Sequence, residues 1–501
     1  MHRNMNAIKE LKKEFSEITR LNHIRSLLGW DEQVNLPKGS FGGRAEQNAL
    51  MSKIVHERLI SDRIGNLIKE AEKLTDLDLI DIATLREVKR DYEQEVKLPT
   101  ELVEEISRTA SRGYIKWVEA REKNDFSIFE PLLEKMIGLQ IQVAEKLDTH
   151  PDLYSTLIDL YEPGATYDWI ANIFNKSKQN LNRIIKKLDN SSDKPDFSIL
   201  TQKWDKDKQW DFSIEVVKGL NYDFNKGRQD KSVHPFTTSL SSSDTRFTTR
   251  IDEDFFSTCI FGSIHECGHA LYEMGLMEKI HNTVLASGFS MGVHESQSRM
   301  WENMVGRSKE FWKFWFPKLE RNFPNNLQGK SVEDFYRSVN TVQPSLIRVE
   351  ADEVTYGMHI ILRFEMEREI IEGKVQVREL PDLWNEKMEE LLGITPPTNS
   401  DGVLQDIHWS GGAFGYFPTY FLGNLYGAQF YNTALKQHPN LPNEYEKGDF
   451  SSLLTFLREN IHKYGRIYPA RDLIKSVTGE DLNPDYFIEY LEKKFYPIYR
   501  I

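Results

Sequence analysis

Apolar side chains at Ile8, Leu11, Phe15, Ile18 and Leu21 stand three or four residues apart, the spacing of a helix with one buried face. The stretch from Leu36 to Gly43, with Pro37, Gly39, Gly42 and Gly43, predicts a break. Helical periodicity then runs through most of residues 44 to 190, interrupted near Pro99, Pro151 and Pro163-Gly164. Polar runs over 190–195 and 202–208 read as surface connections, too short to be disordered linkers. From His234 to Arg250 the pattern changes. Phe236, Thr237, Thr238, Phe247, Thr248 and Thr249 are β-formers around a Ser241-Ser242-Ser243-Asp244 turn and predict a small hairpin. Helices are expected again over about 253–277, over about 294–316 with Pro317 closing it, and over 350–373. A loop opened by Pro396-Pro397 reaches Gly415, and helical patterning returns from Thr419. With no fixed-period repeat, the expectation is a mainly α protein, one large domain over residues 1–501 without a firm internal boundary.

A 501-residue chain that is 39% hydrophobic can fill a sizeable core. Its net charge of −13 opposes a nucleic-acid partner or an anionic membrane surface, both of which demand basic patches. The two cysteines, Cys259 and Cys267, fall inside one expected helix and cannot frame disulfides, which suits a reducing compartment. No apolar run reaches membrane-spanning length and Met1–Phe15 has no signal-peptide core, so a soluble cytoplasmic protein is expected.

The expected helix over 253–277 carries His265-Glu266-Cys267-Gly268-His269. Residues four apart on a helix stand one above the other about 6 Å apart, so both imidazoles reach one ion. Zinc takes such nitrogens at about 2.0–2.1 Å and leaves a position for water at catalytic sites. Glu266, one residue round the helix, would face that water as general base. Ile264, Cys267, Gly268, Ala270 and Leu271 make the flank small or apolar, so unpaired imidazoles there would need a partner such as a metal. Cys267 points elsewhere around the helix and reads as a buried filler. A third ligand is required, with Glu273, Glu278, His281, His294, Glu295 and Glu302 as candidates. It should come from a second helix, because ligands along one straight helix cannot surround an ion. Glu295 fits best, opening a helix after Gly288 and Gly292; a glutamate favoured there by the helix dipole is the competing reading.

Together with His234-Pro235-Phe236, Asp244-Thr245-Arg246-Phe247-Thr248, His294-Glu295-Ser296-Gln297, Ile347-Arg348-Val349-Glu350-Ala351-Asp352 and Gly402-Val403-Leu404-Gln405-Asp406-Ile407-His408-Trp409, this motif resembles the carboxypeptidase Taq family of zinc metallocarboxypeptidases. The resemblance extends to Trp30-Asp31, Arg44-Ala45-Glu46-Gln47, Tyr161-Glu162-Pro163-Gly164 and Thr478-Gly479. It implies removal of single residues from the free C-terminus of peptides, one zinc per chain, Glu295 as third ligand and usually a homodimer. It also implies a helical fold of two lobes around a deep central groove, similar to neurolysin and the angiotensin-converting peptidases, with the hairpin near the active site. Cobalt or manganese would tolerate the same ligands.

An enzyme of this kind must bind a free carboxylate, for which the planar fork of Arg is suited. Arg348 and Arg246 are the candidates; a surface salt bridge among Glu350, Asp352 and Glu353 competes for Arg348, and pairing with Asp244 competes for Arg246. His408 and Tyr420 would donate to the tetrahedral oxyanion, with Tyr416 as the nearest competitor of Tyr420, and His234 would touch the substrate backbone. The glycines over 411–415 suit either a moving loop or plain turn geometry. A zinc endopeptidase or aminopeptidase with the same centre is the alternative enzyme, and a non-catalytic helical zinc protein the alternative of another class. A purely structural site, however, has no need of Glu266.

Overall fold

The apolar stripe Ile8, Leu11, Phe15 and Ile18 lies on one long helix, Asn4–Val34, buried against Val55, Leu59, Ile64, Ile68, Val88 and Ile280. Each such side chain contributes about 1.5–3 kcal/mol by burial, so Leu11→Ala would cost about 2–5 kcal/mol once the cavity is counted. In this computed structural model, which describes residues 4–501, twenty α-helices make up most of the described residues, the mainly α class that the periodicity predicts. Among the described residues no helix is long and apolar enough to cross a membrane. The chain gathers into two compact units. The first takes the chain up to Val96, Asp196–Val339 and Gly427–Asp481; the second takes Lys97–Pro195, Asn340–Tyr426 and Leu482–Ile501.

In the first unit the expected hairpin gains a third strand. Strands β1 (Gln229–Lys231), β2 (Thr237–Ser241) and β3 (Asp244–Thr249) form a sheet in the order β1-β3-β2. β2 runs antiparallel to β3 with Thr237 opposite Phe247, and β1 runs parallel to β3. β1 is only Gln-Asp-Lys, without the β-former alternation that reveals a strand in sequence. The sheet fixes the neighbouring helix, Phe256–Glu273, through polar links inside the core. Gln229 Nε2 donates to Ser263 Oγ (3.0 Å), Ser263 Oγ to Thr249 Oγ1 (3.0 Å) and Thr249 Oγ1 to Cys259 O (3.2 Å).

Three local expectations are corrected. Gly42 and Gly43 sit inside a helix, Phe41–Leu59, and not in a break. The polar run at 202–208 buries Trp204 against Phe256 and Phe323, with ring centroids 4.6 and 5.0 Å away, and already starts the Lys206–Gly219 helix capped by Asp205. One aromatic anchor there outweighs its polar neighbours. The helix expected over 294–316 is three segments: Met291–Arg299, a π-helical turn at Met300–Val305, and Lys309–Asn322, inside which Pro317 lies without closing it. The lost hydrogen bond and ring clash cost about 3 kcal/mol, offset by burial of Phe311, Trp312, Trp315, Phe316 and Leu319.

The second unit is organised on the Tyr356–Ile371 helix, whose residues from Tyr356 to Phe364 are all buried. Phe364 packs against Tyr167 and Phe174, each with ring centroids 5.1 Å away. Beside the partly exposed Glu365, Arg368 and Glu369, this helix carries Arg363 and Glu367, both fully buried. Such charges persist only where partners answer them.

Candidate active site

In the first unit, His265 and His269 stack on the Phe256–Glu273 helix, and Glu295 meets them from the Met291–Arg299 helix. One donor atom from each lies within 4.8 Å of the others. Glu295 Oε2 stands 3.7 Å from His265 Nε2 and 3.4 Å from His269 Nε2. These gaps are long for hydrogen bonds. They match the roughly 3.3 Å between ligands that lie about 2.0–2.1 Å from a tetrahedral ion. The helices come this close because residue 268 is glycine: a Cβ there would sit 2.7 Å from Ser298 Cα and 2.9 Å from Gln297 O.

The outer nitrogens of both rings are occupied. His265 Nδ1 lies 3.0 Å from Glu302 Oε2, on the π-helical turn, and His269 Nδ1 lies 2.6 Å from His294 Nδ1. A carboxylate only accepts, so the neutral His265 ring carries its proton on Nδ1 and turns a bare Nε2 toward Glu295. Glu295 is itself gripped by Arg299, whose Nε donates to Oε1 at 2.6 Å, and by Ser298 Oγ at 3.2 Å to Oε2. Despite burial, Arg299 and the two histidines hold Glu295 well below the usual carboxylate range. Burial pushes His269 down to about 3, while in His265 Glu295 and Glu302 outweigh burial and the shift is upward. Arg299 and Arg307 meet Glu295 and Glu302, whereas Glu266 and Glu273 stand against Thr237 and His294, so carboxyl groups outnumber guanidiniums here. Converging lone pairs with surplus negative charge fit a divalent cation.

Glu266 is 8% exposed, and burial raises its carboxyl above the ordinary value. Thr237 Oγ1 on β2 lies 2.7 Å from Glu266 Oε2 and 2.9 Å from the Glu266 carbonyl oxygen, so the sheet edge fixes the orientation of this carboxylate. On β3, Arg246 is bound by Asp244 through two hydrogen bonds of 2.8 and 2.7 Å, with its guanidinium 5.7 Å from the Trp30 ring centre. Its charge is thus answered two residues away. His234 is exposed in the link before β2, where its carbonyl accepts from Ser232 Oγ at 2.6 Å.

In the second unit a different cluster surrounds Asp406. Arg348 lies in a short 3-10 turn and is 5% exposed, which overturns the reading of a surface salt bridge on a helix. Its Nε and Nη2 donate to Asp406 Oδ1 at 3.1 and 2.8 Å, and Arg363 Nε donates to Asp406 Oδ2 at 2.7 Å. Gln405 completes the frame: its Oε1 accepts from Arg348 N (2.9 Å) and Arg363 Nη2 (2.8 Å). Two guanidiniums against one carboxylate leave one positive charge. His408 Nδ1 is 3.8 Å from Asp406 Oδ1 and His408 Nε2 is 3.4 Å from the Tyr420 hydroxyl. Burial lowers His408 to about 4, so it is neutral at pH 7. Tyr416 stacks on His408 with ring centroids 5.5 Å apart and meets Tyr420 edge-on at 5.1 Å.

The loop carrying His408 is anchored by Glu367. Its Oε1 accepts from Trp409 Nε1 (2.8 Å), and its Oε2 accepts from Gly415 N (2.8 Å) and the Tyr154 hydroxyl (2.8 Å). Gly415 has φ +84° and its missing Cβ would meet Ile158 N at 2.6 Å, so turn geometry and close approach account for this glycine. Asp352 accepts from Val354 N and Thr355 N and so starts the Tyr356–Ile371 helix.

The sequence therefore points to residues that the structure brings together as His265, His269, Glu295 and Glu266 in one unit, and as Arg348, His408 and Tyr420 in the other. It gives no role to Thr237, Arg363, Gln405 or Glu367, weighs Glu302 only as a metal ligand, and reads the His294–Arg299 segment as polar groups that orient the ligands, which Arg299 does by gripping Glu295. Asp406 and Gln405, beside His408 in the Gly402–Trp409 segment, are the ones a search for buried-charge partners would have found.

The family model described as Carboxypeptidase Taq (M32) metallopeptidase matches residues 10–495. "Carboxypeptidase 1" of Bacillus subtilis is 40% identical over 497 residues, covering 98% of this chain and 99% of that protein. "Thermostable carboxypeptidase 1" of Thermus thermophilus is 39% identical over 505 residues, covering 98% and 99%. Among solved structures, the M32 carboxypeptidase from Deinococcus radiodurans R1 superposes with a TM-score of 0.96 at 37% identity, covering 99% of this chain and all of that one.

Proposed function

Because the chain belongs to the carboxypeptidase Taq (M32) family of metallopeptidases, and is a metallocarboxypeptidase that hydrolyses peptide bonds, we propose that it uses zinc to release single residues from the free C-terminus of peptides. The observation that carries the zinc reading is the convergence of His265 Nε2, His269 Nε2 and Glu295 Oε2, spaced as ligands of one small ion. When bound, such an ion polarises the scissile carbonyl and makes a water acidic enough to attack. Cobalt or manganese would suit the same donors.

The chain's own residues do the rest. Glu266, oriented by Thr237, takes a proton from the attacking water and passes it to the leaving amine; its raised affinity for a proton suits both halves of that transfer. His408 and Tyr420 are assigned to the developing oxyanion, and the neutral state of His408 leaves its ring able to donate one N–H without bringing a charge. The free carboxylate of the substrate is assigned to the surplus positive charge of the Arg348, Arg363 and Asp406 cluster. Arg246 and His234 stay among the substrate contacts only through the family resemblance. Both compact units are taken as one catalytic domain. The two free, buried cysteines support residence in the cytoplasm; the homodimer rests on the resemblance.

A peptide with a free C-terminus and its amidated twin, offered with and without chelator and alongside Glu266→Gln, test this reading. Loss of single C-terminal residues from the free peptide alone, abolished by chelator and restored by zinc, is expected. Equal cutting of the amidated peptide would sink the exopeptidase assignment, and activity surviving in Glu266→Gln would sink the base.

A further inference from the structure

The two histidines of the metal cluster are backed in different ways. Behind His265 stands a carboxylate, Glu302, with Arg299 Nη1 and Arg307 Nη2 each 3.4 Å from its oxygens. Behind His269 stands another imidazole: His294 Nδ1 is 2.6 Å from His269 Nδ1, and His294 Nε2 is 2.8 Å from Glu273 Oε1. The ring of His294 is held in place, with the Tyr272 ring centre 5.1 Å away. Gly288 leaves it room, since a Cβ there would sit 2.8 Å from His294 Cδ2. Glu273 is one helical turn beyond His269 on the same helix and also receives Ser239 Oγ from β2 at 3.3 Å.

We propose that His294 and Glu273 form a hydrogen-bond relay that sets the tautomer and aim of His269, and thereby strengthens the hold of the cluster on its metal ion. The proton assignment follows from counting. A 2.6 Å nitrogen-to-nitrogen contact needs one proton between its partners. Glu273 only accepts, so His294 carries a proton on Nε2 and donates it there. If His269 is to turn a lone pair on Nε2 toward the ion, its own proton sits on Nδ1, and His294 Nδ1 accepts it. The relay then runs from His269 to His294 to Glu273. Metal-bound histidines commonly donate their second N–H to a fixed acceptor, and losing that acceptor costs about 10–100-fold in metal affinity. Both members are therefore positioning residues. They account for two groups that the third-ligand search raises on sequence grounds and that the donor cluster does not use.

The inference rests on the metallopeptidase reading of this cluster, and the test separates the two. Zinc affinity of the purified apo-protein is measured by competition with a chelating indicator for the wild type, His294→Phe and Glu273→Gln, with the fold of each checked by circular dichroism. Nitrogen-labelled histidine NMR of the zinc-loaded wild type reads the tautomers directly. A fall of about 10–100-fold for His294→Phe, a smaller fall for Glu273→Gln, and protons on His269 Nδ1 and His294 Nε2 are expected. If His294→Phe fails to fold, Glu273→Gln and the wild-type spectrum still decide. Unchanged affinity in a folded variant, or a His294 proton on Nδ1 and not on Nε2, would overturn the relay while leaving the metal centre standing. A wild type that does not bind zinc would overturn both.

Discussion

The cluster around His265 and His269 and the cluster around Asp406 solve the same problem, charges kept in a protein interior, with opposite remainders. In the first, Glu295 and Glu302 meet two guanidiniums while the carboxyl groups of Glu266 and Glu273 stand against Thr237 and His294; in the second, two guanidiniums face one carboxylate. Buried charge is tolerated only when it is paired, so each remainder names the sign of what is missing. A surplus of negative charge beside bare imidazole nitrogens calls for a cation. A surplus of positive charge beside a neutral histidine and a tyrosine hydroxyl suits the carboxylate and the developing oxyanion of a peptide. A peptidase that cuts at a free C-terminus needs both remainders, and an endopeptidase has no use for the second.

The largest effects should come from the negative cluster. Glu266→Gln is expected to lower kcat by about 10²–10⁴-fold, the usual worth of a general base, while zinc content measured on the purified protein stays at that of the wild type. Glu295→Gln should lose zinc as well as activity, since it removes a donor and not a base. If both variants keep zinc and differ only in rate, Glu295 is not a ligand and the accounting of the first cluster is wrong.

In the positive cluster, Asp406→Asn would leave Arg348 and Arg363, 5% and 0% exposed, without their anion. Breaking a buried pair by removing one partner costs about 3–5 kcal/mol, read as a lower urea midpoint. A loss below about 1 kcal/mol would mean that the two guanidiniums find water or another partner, and that the surplus charge does not exist as described.

The two clusters were also unequally legible. His265, Glu266 and His269 sit within one helical turn and a half, where a fixed period converts spacing into geometry, and Glu295 followed from the rule that a second helix must cross together with the family resemblance. Arg348 could be named, yet its partner is 58 residues away and its companion Arg363 is one of several charges on its helix, with nothing local to single it out. Nothing local marks such a pairing. Thr237 was legible as a β-former and not as the orienting partner of Glu266, because the contact joins residues 29 apart through packing of sheet on helix. Pro317 and Gly42-Gly43 were misread for the converse reason: tertiary burial overrode local propensity that the sequence displays plainly.

Glu367 gives the finest probe of the comparison, because it is a buried carboxylate in the unit of the positive cluster whose hydrogen bonds come from Trp409, Gly415 and Tyr154. Burial pushes it up to about 7, against the lowering pull of Gly415 N, Trp409 Nε1 and the Tyr154 hydroxyl. Its folded pKa is thus above the unfolded value of 4.5. Between these values the folded chain holds more protons than the unfolded one, so stability from this group is full below the unfolded value and is lost as pH rises to about 7. The loss is on the order of 3 kcal/mol over that window, at about 1.4 kcal/mol for each pH unit. His408 and His269, held low, contribute a slope of the other sign, so the quantity to measure is the difference between wild type and Glu367→Gln. The variant is expected to be less stable at pH 5, where protonated Glu367 adds no burial cost and the amide loses one acceptor. That deficit should shrink steadily toward pH 7.5 in urea titrations. A difference that stays level across the window would show that Glu367 is ionised at pH 5, and that the anchoring of the His408 loop carries no proton.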